Sequence, residues 1–347
     1  MEVSALLAAE LSAPFERASD ADAATLVRRH WGLTPARANR VDTERDDTFH
    51  IETDIPVSSY ALKISHPGDD PVVIDLQTAA IEWAAEHDPS LPLARPIPTV
   101  DGTLQPVVAE RVARLFPWMP GQTLRAALWD AAPESPLLHE IGATHARLTV
   151  ALADFRHPAE SRALAWDVAR LPELAELLAA VDDPAPVASA LNRHLAEVAP
   201  RLAELPQQLI HNDGNLDNLL VDDLAHSGSQ GPSLTTGVPR ITVLDFGDAV
   251  RTARVLDLAV VASYLLPADD QYAASDTLDG VVAGWESVLP LEPDERDLLP
   301  RLVIGRLLQR LLLGSWLSRE VPANVDYLSR NLVRTRAQFD IARQEGW

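Results

Sequence analysis

The sequence contains no cysteine. This absence excludes disulfide bonds, thiolate metal sites and catalysis by a thiol nucleophile. No apolar run reaches the roughly 18 residues of a membrane-spanning helix, and the stretch "LVIGRLLQRLLLGSWL" is interrupted by arginines. The N-terminal segment "MEVSALLAAELSAPFERASD" is acidic and does not resemble a signal peptide. We therefore predict a cytoplasmic protein with no membrane partner.

Positive charge is also scarce. The formal net charge is -22 at pH 7, and of the 29 lysine and arginine residues Lys63 alone is a lysine. A nucleic-acid-binding surface needs basic patches that neutralise phosphates, so we predict no nucleic-acid partner. The acidity would suit a cationic small substrate, although a charged, solvated surface is the simpler interpretation. Nothing in the sequence indicates a protein partner.

Several catalytic motifs are missing as well. The sequence has no H-E-x-x-H zinc motif, no G-x-S-x-G nucleophile elbow and no G-x-x-x-x-G-K-[ST] phosphate loop. Internal repeats are not evident. Zinc peptidases, α/β-hydrolases and P-loop enzymes therefore lack their minimum parts here.

The single lysine lies in a segment that has the pattern of β-strands. The stretches "NRVDTE", "TFHIETDI" and "SSYALKIS" are short, rich in β-branched and aromatic residues, and separated by polar turns. The third stretch puts Lys63 between Leu62 and Ile64. Arginine supplies every other basic side chain, so this position is predicted to require a compact ammonium group on a flexible stem.

The pattern changes along the chain. A helix is predicted over "VVIDLQTAAIEWAAEH", and the following extended segment is broken at Pro117, Pro120 and Gly121. Beyond Gly121 the pattern is mainly helical. We predict a domain boundary near residue 118, between an N-terminal part at 1–118 and a C-terminal part at 119–347. Residues 1–38 are predicted to form a leading helical segment.

Two further stretches carry chemistry. "QLIHNDGNLDNLLVDD" crowds polar groups between apolar runs, and "ITVLDFGDAV" ends a buried-looking strand at Asp245. Asp213 precedes Asn218 with the D-x-x-x-x-N spacing of a kinase catalytic loop, and Asp245 opens a D-F-G sequence. A kinase needs a strand lysine for the nucleotide phosphates, a loop aspartate near the acceptor hydroxyl, and an asparagine and a second aspartate for magnesium. The ordered set therefore predicts phosphoryl transfer.

These motifs resemble a known family. "HNDGNLDN" and "VLDFGDAVRTARVLDLAVVASYLL" are similar to the aminoglycoside phosphotransferase and choline kinase family, whose members act on small molecules. The blocks "ERDDTF", "YALKIS", "IDLQT", "RLFPWMPGQTL", "HPAESRALAWDV" and "DFGDAV" resemble its hydroxylysine kinase branch. The resemblance implies an α+β, bilobal protein-kinase-like fold. Its small N-terminal lobe, at 1–118, would contain an antiparallel sheet and bind the nucleotide. Its larger C-terminal lobe, at 119–347, would be mainly helical and would hold the catalytic and acceptor-binding groups.

The resemblance also implies roles for individual residues. Asp213 would be the base or orienting group for the acceptor hydroxyl, Asn218 and Asp245 would bind Mg²⁺, and Lys63 would contact the phosphates of ATP or GTP. His211 would support the loop. Asp257 would brace it, with a helix N-cap as the simplest alternative. Further nucleotide contacts are implied in a phosphate-covering loop and a hinge, at Thr43, Arg45, Thr48, Phe49, Leu115, Phe116, Trp118 and Met119.

Some positions depart from the family pattern. The phosphate-covering loop has no glycine, and the glutamate expected to pair with Lys63 falls at Gln77, with Asp75 and Glu82 nearby. Asn215 matches the branch, but Leu216 stands where an aspartate is common and Asp217 follows it. Asp248 is predicted to bind a substrate ammonium or a second metal ion, and a structural role in the turn is the alternative.

The acceptor site is expected in the helical half. Candidates by composition alone are Trp285, Arg306, Arg310, Trp316 and Tyr327. The Ser/Gly/Pro-rich residues 223–239 are predicted to form a surface hairpin loop rather than a lid. We favour a Mg-dependent kinase that uses ATP or GTP and acts on a small hydroxylated amine resembling hydroxylysine. The alternatives are an antibiotic phosphotransferase and a catalytically inactive nucleotide-binding or scaffold protein of the same fold.

Overall fold

The structure is a computed structural model. It describes residues 15–43, 45–54, 56–128, 132–222, 239–269, 272–320 and 325–347, without the side chains of 325–330. The insertion predicted at 223–239 lies almost entirely outside these ranges. The side chain of Tyr327 is outside them too.

An antiparallel sheet of five strands forms the N-terminal half, in the order β1-β2-β3-β5-β4. The strands are β1 (Pro35–Val41), β2 (Asp47–Asp54), β3 (Val57–Ile64), β4 (Val107–Val108) and β5 (Arg111–Pro117). Side chains alternate across β2 and β3, so that Phe49 and Ile51 face the same buried core as Leu62 and Ile64. The predicted strand meander around Lys63 is therefore present.

Helix α1 (Asp20–Trp31) covers one face of this sheet. Ser19 and Asp22 form a reciprocal capping box at its start, and Gly32 ends it in the left-handed region at φ 66°. The predicted leading helical segment is wrong at its end, because β1 already begins at Pro35. Pro35 lacks a backbone N–H and cannot continue a helix, and the helix ends at Gly32 before it.

Helix α2 (Pro71–His87) is the predicted helix between β3 and β4. Asp70 caps its N-terminus by accepting a hydrogen bond from Val72 N–H, and Pro71 occupies the first turn, where no donor is needed. Its buried face includes Ile74, Ile81 and Ala84.

The C-terminal half is mainly helical. Its helices are α3 (Leu124–Ala127), α4 (Ser135–Ala151), α5 (Pro184–Glu197), α6 (Ala199–Leu202), α7 (Val255–Leu265), α8 (Ala274–Glu286), α9 (Pro293–Glu320) and α10 (Val325–Gln344), with a 3₁₀ segment at Val168–Ala180. They surround one large apolar core. Within the described ranges, no helix has both the length and the apolar character to cross a membrane.

Two small sheets hold the loops that follow their strands. β6 (Gln122–Thr123), β8 (Leu219–Asp222) and β9 (Arg240–Val243) form one, and β7 (Gln207–Ile210) pairs with β10 (Val250–Ala253) in the other. The loop 211–218 leaves β7 and the loop 244–249 leaves β9. Because β8 pairs with β9 and β7 with β10, the two loops lie next to each other.

The chain passes from the first sheet to the second through Gly121. This residue has φ 104°, and a Cβ built on it would lie 2.6 Å from the carbonyl oxygen of Val221. Only glycine tolerates both conditions. Sheet membership therefore changes between Pro117 and Gln122, although the domain boundary near 118 remains a prediction.

Candidate active site

A buried carboxylate holds the loop after β7 by a hydrogen bond to its backbone. Asp257, in the first turn of α7, accepts a hydrogen bond from the Asn212 backbone N–H at 2.8 Å and lies 3.2 Å from His145 Nδ1. Burial opposes ionisation of Asp257, but the contacts with His145 and Asn212 hold its pKa below the ordinary value. Asn212 itself has φ 64°, a conformation that asparagine tolerates better than most residues. The helix therefore fixes an unusual backbone turn just before Asp213.

His211 links the two loops. Its Nδ1 accepts a hydrogen bond from the Asp213 backbone N–H at 3.3 Å, and its Nε2 donates to the Leu244 carbonyl oxygen at 2.9 Å. Burial lowers the pKa of His211, so that the ring is neutral and carries its proton on Nε2. Because both nitrogens are engaged with backbone, His211 is suited to support rather than to proton transfer.

The carboxylate of Asp213 is held by two amides of its own loop. Asn215 Nδ2 donates to Asp213 Oδ1 at 2.9 Å and Asn218 Nδ2 donates to Oδ2 at 2.5 Å. Burial raises the pKa of Asp213 well above its ordinary value, and the negative charge of Asp248 raises it further. The structure thus brings Asp248 close enough for its negative charge to act on Asp213.

Asp248 occupies the second loop. Burial also raises its pKa, against the attraction of Arg306 and Arg162. Its carboxylate accepts no hydrogen bond from the residues that the structure describes, whereas its backbone oxygen accepts one from Asn212 Nδ2 at 3.3 Å. The side chain is thus available to a ligand while the backbone holds the turn.

Lys63 reaches across to the second loop. Its Nζ lies 2.7 Å from Asp245 Oδ2, and Gly247 N–H donates to Asp245 Oδ1 at 2.9 Å. The ammonium group of Lys63 holds the pKa of Asp245 well below its usual range. Asp245 has φ 57°, a strained conformation of the kind found at functional sites.

Lys63 does not pair with the helix that follows it. Among the described contacts, Gln77 makes no hydrogen bond to Lys63, Asp75 accepts from Gln105 and His157, and Glu82 pairs with Arg95. None of the three positions considered for the partner of Lys63 therefore pairs with it in this structure. Asp245 takes that position because the pleat points Lys63 into the cleft between the sheet and the loop after β9.

Two charged residues near Lys63 were missed. Arg114 lies directly opposite Lys63 in the β3–β5 pairing and is 4% exposed. Asp46 precedes β2, and burial raises its pKa against the attraction of Lys63 and Arg114. The strand register reveals Arg114, since opposite residues of an antiparallel pair share a face. No sequence pattern gives that register between strands so far apart.

The predicted phosphate-covering loop is only partly directed at the site. Thr48 lies opposite Lys63 and shares its face, whereas Phe49 lies opposite Leu62 and is fully buried in the small core. Phe49 is therefore wrong as a nucleotide contact. Thr43 donates to the Asp46 carbonyl oxygen at 2.7 Å, and Arg45 binds Asp69 at 2.6 Å.

The predicted hinge needs a similar correction. The Leu115 side chain is buried in the small core, and its carbonyl oxygen accepts a hydrogen bond from Ile97 N–H at 2.7 Å. Trp118 N–H donates to the Ser59 carbonyl oxygen at 3.0 Å. The Leu115 carbonyl oxygen and the Trp118 N–H are thus both engaged within the protein. Phe116 and Met119 remain the predicted backbone contacts.

The acceptor candidates separate clearly. Trp285 is fully buried in the large core and is wrong as an acceptor contact, and Trp316 is half-buried against the same core. Arg306 is 1% exposed, and its Nη2 lies 3.9 Å from Asp213 Oδ1. Asp217, the acidic neighbour of Leu216, pairs with Arg125 at 2.7 Å and does not reach Asp213 among the described contacts.

A model of the phosphotransferase enzyme family (APH) matches residues 37–291. The chain belongs to this family. Like other phosphotransferases of the family it is a small-molecule kinase, as the order of Lys63, Asp213, Asn218 and Asp245 predicts.

The most similar relatives agree with this assignment. Hydroxylysine kinase from Danio rerio is 28% identical over 321 residues, which cover 87% of this chain and 85% of the relative. Hydroxylysine kinase from Mus musculus is 26% identical over 334 residues, with 89% and 85% covered. The resemblance to the hydroxylysine kinase branch is therefore confirmed.

Solved structures show the same fold. A microcompartment-associated aminopropanol kinase superimposes with a TM-score of 0.68 at 20% identity, covering 94% of this chain and 97% of that one. An amicoumacin kinase solved with AMP-PNP and Ca²⁺ gives a TM-score of 0.66 at 14% identity, covering 93% and 95%. At these identities the likeness establishes the fold alone, which is the predicted bilobal α+β architecture.

Replacing Lys63 with arginine tests why this phosphotransferase retains one lysine. A guanidinium is larger and forms planar, forked hydrogen bonds, so it would bind the Asp245 carboxylate at both oxygens and displace it. We expect kcat/KM for the nucleotide to fall by about tenfold or more. Steady-state kinetics with varied nucleotide would measure this.

The matched control is Arg95→Lys, which makes the reverse exchange between arginine and lysine. Arg95 forms a solvent-accessible ion pair with Glu82. This variant should stay within about twofold of the parent. Full activity of Lys63→Arg would mean that the site needs only a positive charge.

Asp248→Asn tests the repulsion between the two carboxylates. Raised pKa values mean that the folded state binds protons more tightly than the unfolded chain, so these groups lower stability as pH rises from the ordinary value of 3.8 through the raised values. With EDTA present, Asp248→Asn should raise Tm at pH 8 by a few degrees, and by less at pH 5. Calorimetry at both pH values is the measurement. An equal gain at both would contradict the repulsion.

Proposed function

We propose that this protein is a Mg²⁺-dependent kinase that transfers the γ-phosphate of ATP or GTP to a hydroxyl group of an amine-bearing metabolite. One observation carries the proposal: the phosphate-binding, metal-binding and acceptor-binding candidates form one connected set. Lys63 contacts Asp245, Asn218 contacts Asp213, and the Leu244 N–H donates to the Asn218 carbonyl oxygen at 2.8 Å. A kinase needs these groups side by side, since its catalysis is mostly positioning and charge stabilisation.

The donor set suits magnesium. Asn218 and Asp245 offer amide and carboxylate oxygens, which Mg²⁺ prefers, and Mg²⁺ usually takes one or two protein ligands together with phosphates and waters. No cluster of three His, Cys, Asp or Glu side chains able to hold a metal occurs in the described part of the chain. Asn218 and Asp245 would therefore hold the ion jointly with the nucleotide. The bound ion would supply charge stabilisation at the transferring phosphoryl group.

Asp213 is the proposed proton acceptor. Its carboxylate would accept a hydrogen bond from the acceptor hydroxyl and take the proton as the oxygen attacks the γ-phosphorus, with the nucleoside diphosphate as leaving group. Asn215 and Asn218 fix both oxygens of this carboxylate, so its orientation is set before the acceptor binds. A raised pKa makes the carboxylate a better base than a solvent-exposed aspartate.

An amine on the acceptor fits the charges around Asp213. Asp213 and Asp248 repel each other, and the carboxylate of Asp248 is free of hydrogen bonds among the described residues. An ammonium group next to the reacting hydroxyl would relieve that repulsion and bind Asp248. The hydroxylysine kinases that cover most of this chain support an acceptor of the hydroxylysine type.

The test is nucleotide consumption by the purified protein with Mg²⁺, ATP or GTP, and a panel of acceptors. The panel contains 5-hydroxylysine, ethanolamine, choline, homoserine and an aminoglycoside, and Asp213→Asn protein serves as the blank. We expect turnover that depends on a hydroxylated amine and is absent from the blank. Turnover with the aminoglycoside alone would support the antibiotic phosphotransferase instead, and no acceptor-dependent turnover would contradict the proposal.

A further inference from the structure

Arginines gather beside Asp213 in a chain that carries a net charge of -22. Arg306 and Arg310 lie on α9, four residues and about one helical turn apart, and therefore on the same face. The positive charges of Arg306, Arg334 and Arg125 all act on Arg310. Burial lowers the pKa of Arg310 to about 10, which leaves it charged at neutral pH. This part of the acceptor cleft is thus positively charged.

Arg306 is almost fully buried, and the groups that accept its hydrogen bonds are neutral. Its Nη1 donates to the Trp166 carbonyl oxygen at 2.6 Å and to Gln309 Oε1 at 2.9 Å, and its guanidinium lies 5.1 Å from the Trp166 ring centre. Its nearest ion-pair contact among the described residues is the 3.9 Å approach to Asp213 Oδ1, and its Nε has no hydrogen-bond partner there. The guanidinium is rigidly held but incompletely neutralised.

Arg310 has no carboxylate partner in the described part of the chain. Its Nη1 donates to the Ser263 carbonyl oxygen at 3.1 Å and to Gln338 Oε1 at 3.2 Å. The guanidinium stacks on the Tyr264 ring at 4.1 Å from its centre. These contacts fix its plane and leave Nε and Nη2 without a hydrogen bond among those residues. A planar donor pair of this kind matches a carboxylate.

Elsewhere in the same fold, a carboxylate of the protein itself neutralises a part-buried arginine. Arg254 binds the fully buried Glu295 through two bonds of 2.8 Å. A buried charge without a counter-charge is costly, so a chain rich in acidic residues would ordinarily supply one. Arg310 has no carboxylate partner among the described residues, which indicates that its counter-charge comes with a ligand.

We propose that Arg310, stacked on Tyr264 one helical turn from Arg306, forms an anion-binding subsite that takes the carboxylate of an amino-acid acceptor. The inference rests on the proposed function. It makes the cleft two-sided, with Asp213 and Asp248 at the hydroxyl and ammonium end and Arg310 at the carboxylate end. 5-Hydroxylysine has this arrangement: its hydroxyl and terminal amine are on neighbouring carbons, and three further carbons separate the hydroxyl-bearing carbon from the carboxylate. An amino alcohol such as ethanolamine lacks the carboxylate.

The decisive comparison uses two acceptors that differ only in the carboxylate, 5-hydroxylysine and 1,5-diaminopentan-2-ol. The parent protein should prefer 5-hydroxylysine in kcat/KM. Arg310→Gln should lower kcat/KM for 5-hydroxylysine by about tenfold to a hundredfold, mainly through KM, as expected for loss of charge-assisted hydrogen bonds. It should leave the diamino alcohol and the KM for nucleotide within about threefold. Arg310→Lys should retain part of the preference.

Arg336→Gln is the matched control, because this arginine pairs with Asp340 and Asp183 on the outside of α10. It should change neither acceptor. An equal loss for both acceptors in Arg310→Gln would mean that Arg310 is only structural. A parent protein that uses both acceptors equally well would also overturn the subsite.

A binding experiment tests the subsite independently of the proposed kinase activity. L-lysine and 1,5-diaminopentane lack the hydroxyl and differ only in the carboxylate, so calorimetric titration reads the subsite without chemistry. L-lysine should bind at least tenfold more tightly to the parent protein, and Arg310→Gln should abolish the difference. If neither hydroxylated acceptor is turned over but this difference persists, the kinase proposal fails and the subsite stands. No difference between these two ligands in the parent overturns the subsite.

Discussion

Replacing Asp213 with asparagine is expected to lower kcat by a factor of about 10² to 10⁴, the usual contribution of a positioned general base. Asparagine has the same shape but cannot accept a proton from the acceptor hydroxyl. Nucleotide affinity should change little, because Lys63, the phosphate-binding candidate, and Asp245, a metal-binding candidate, form a separate ion pair. Steady-state kinetics together with a nucleotide titration would measure both quantities.

Asp222→Asn provides the control for this substitution. Asp222 ends β8, just after the catalytic loop, and pairs in register with Arg240 of β9. The control removes one negative charge from the same segment without touching Asp213, so kcat should remain within about twofold. If Asp213→Asn keeps full turnover, the proposed base is wrong.

The second large effect is expected at Asp245. Asp245→Asn removes a charged oxygen proposed to bind Mg²⁺, and it also removes the counter-charge of Lys63. We expect kcat to fall by about 10² to 10³, comparable to the loss of one group that stabilises charge in the transition state. Unlike Asp213→Asn, this variant should also bind Mg-nucleotide more weakly.

The difference between the two variants is itself informative. Titrating Mg²⁺ at fixed nucleotide should show a higher half-saturating concentration for Asp245→Asn and an unchanged one for Asp213→Asn. A parent-like magnesium dependence in Asp245→Asn would contradict its assignment as a metal ligand. Weakened magnesium binding in Asp213→Asn would assign that carboxylate to the metal as well.

The motif residues could be found from the sequence because local constraints fix them. Asp213 and Asn218 are set by spacing within one loop, and Lys63 stands out by composition and by its place inside a strand. The same local pattern predicted β2, β3 and α2. Each of these inferences needs only residues that are near one another in the chain.

The residues that were predicted wrongly or missed depend on contacts between segments that are far apart in the sequence. Thr48 and Phe49 were both predicted to contact the nucleotide. Side chains of a strand alternate between its two faces, so only one of these neighbours can share a face with Lys63, and the pairing of β2 with β3 decides which one. Arg114 and the Lys63–Asp245 pair required strand register and the approach of the loop after β9.

The acceptor residues were the hardest to identify. Trp285 and Arg306 look equally suitable by composition, yet Trp285 is core and Arg306 reaches Asp213. Helix α9 is buried around most of its circumference between residues 302 and 315, so its sequence has no polar face that would identify the cleft side. Only the packing of α7 and the 3₁₀ segment against it separates the two roles.

The contact between Lys63 and Asp245 has a thermodynamic consequence. If Asp245 binds magnesium as proposed, the metal would compete with Lys63 for this carboxylate and would free the ammonium group for the nucleotide phosphates. Phosphates that bind Lys63 likewise free Asp245 for the metal. Each ligand thus removes a competitor of the other, so their binding is expected to be cooperative, with the same coupling factor whichever binds first. Such an ion pair makes the site favour the metal–nucleotide complex over either component alone.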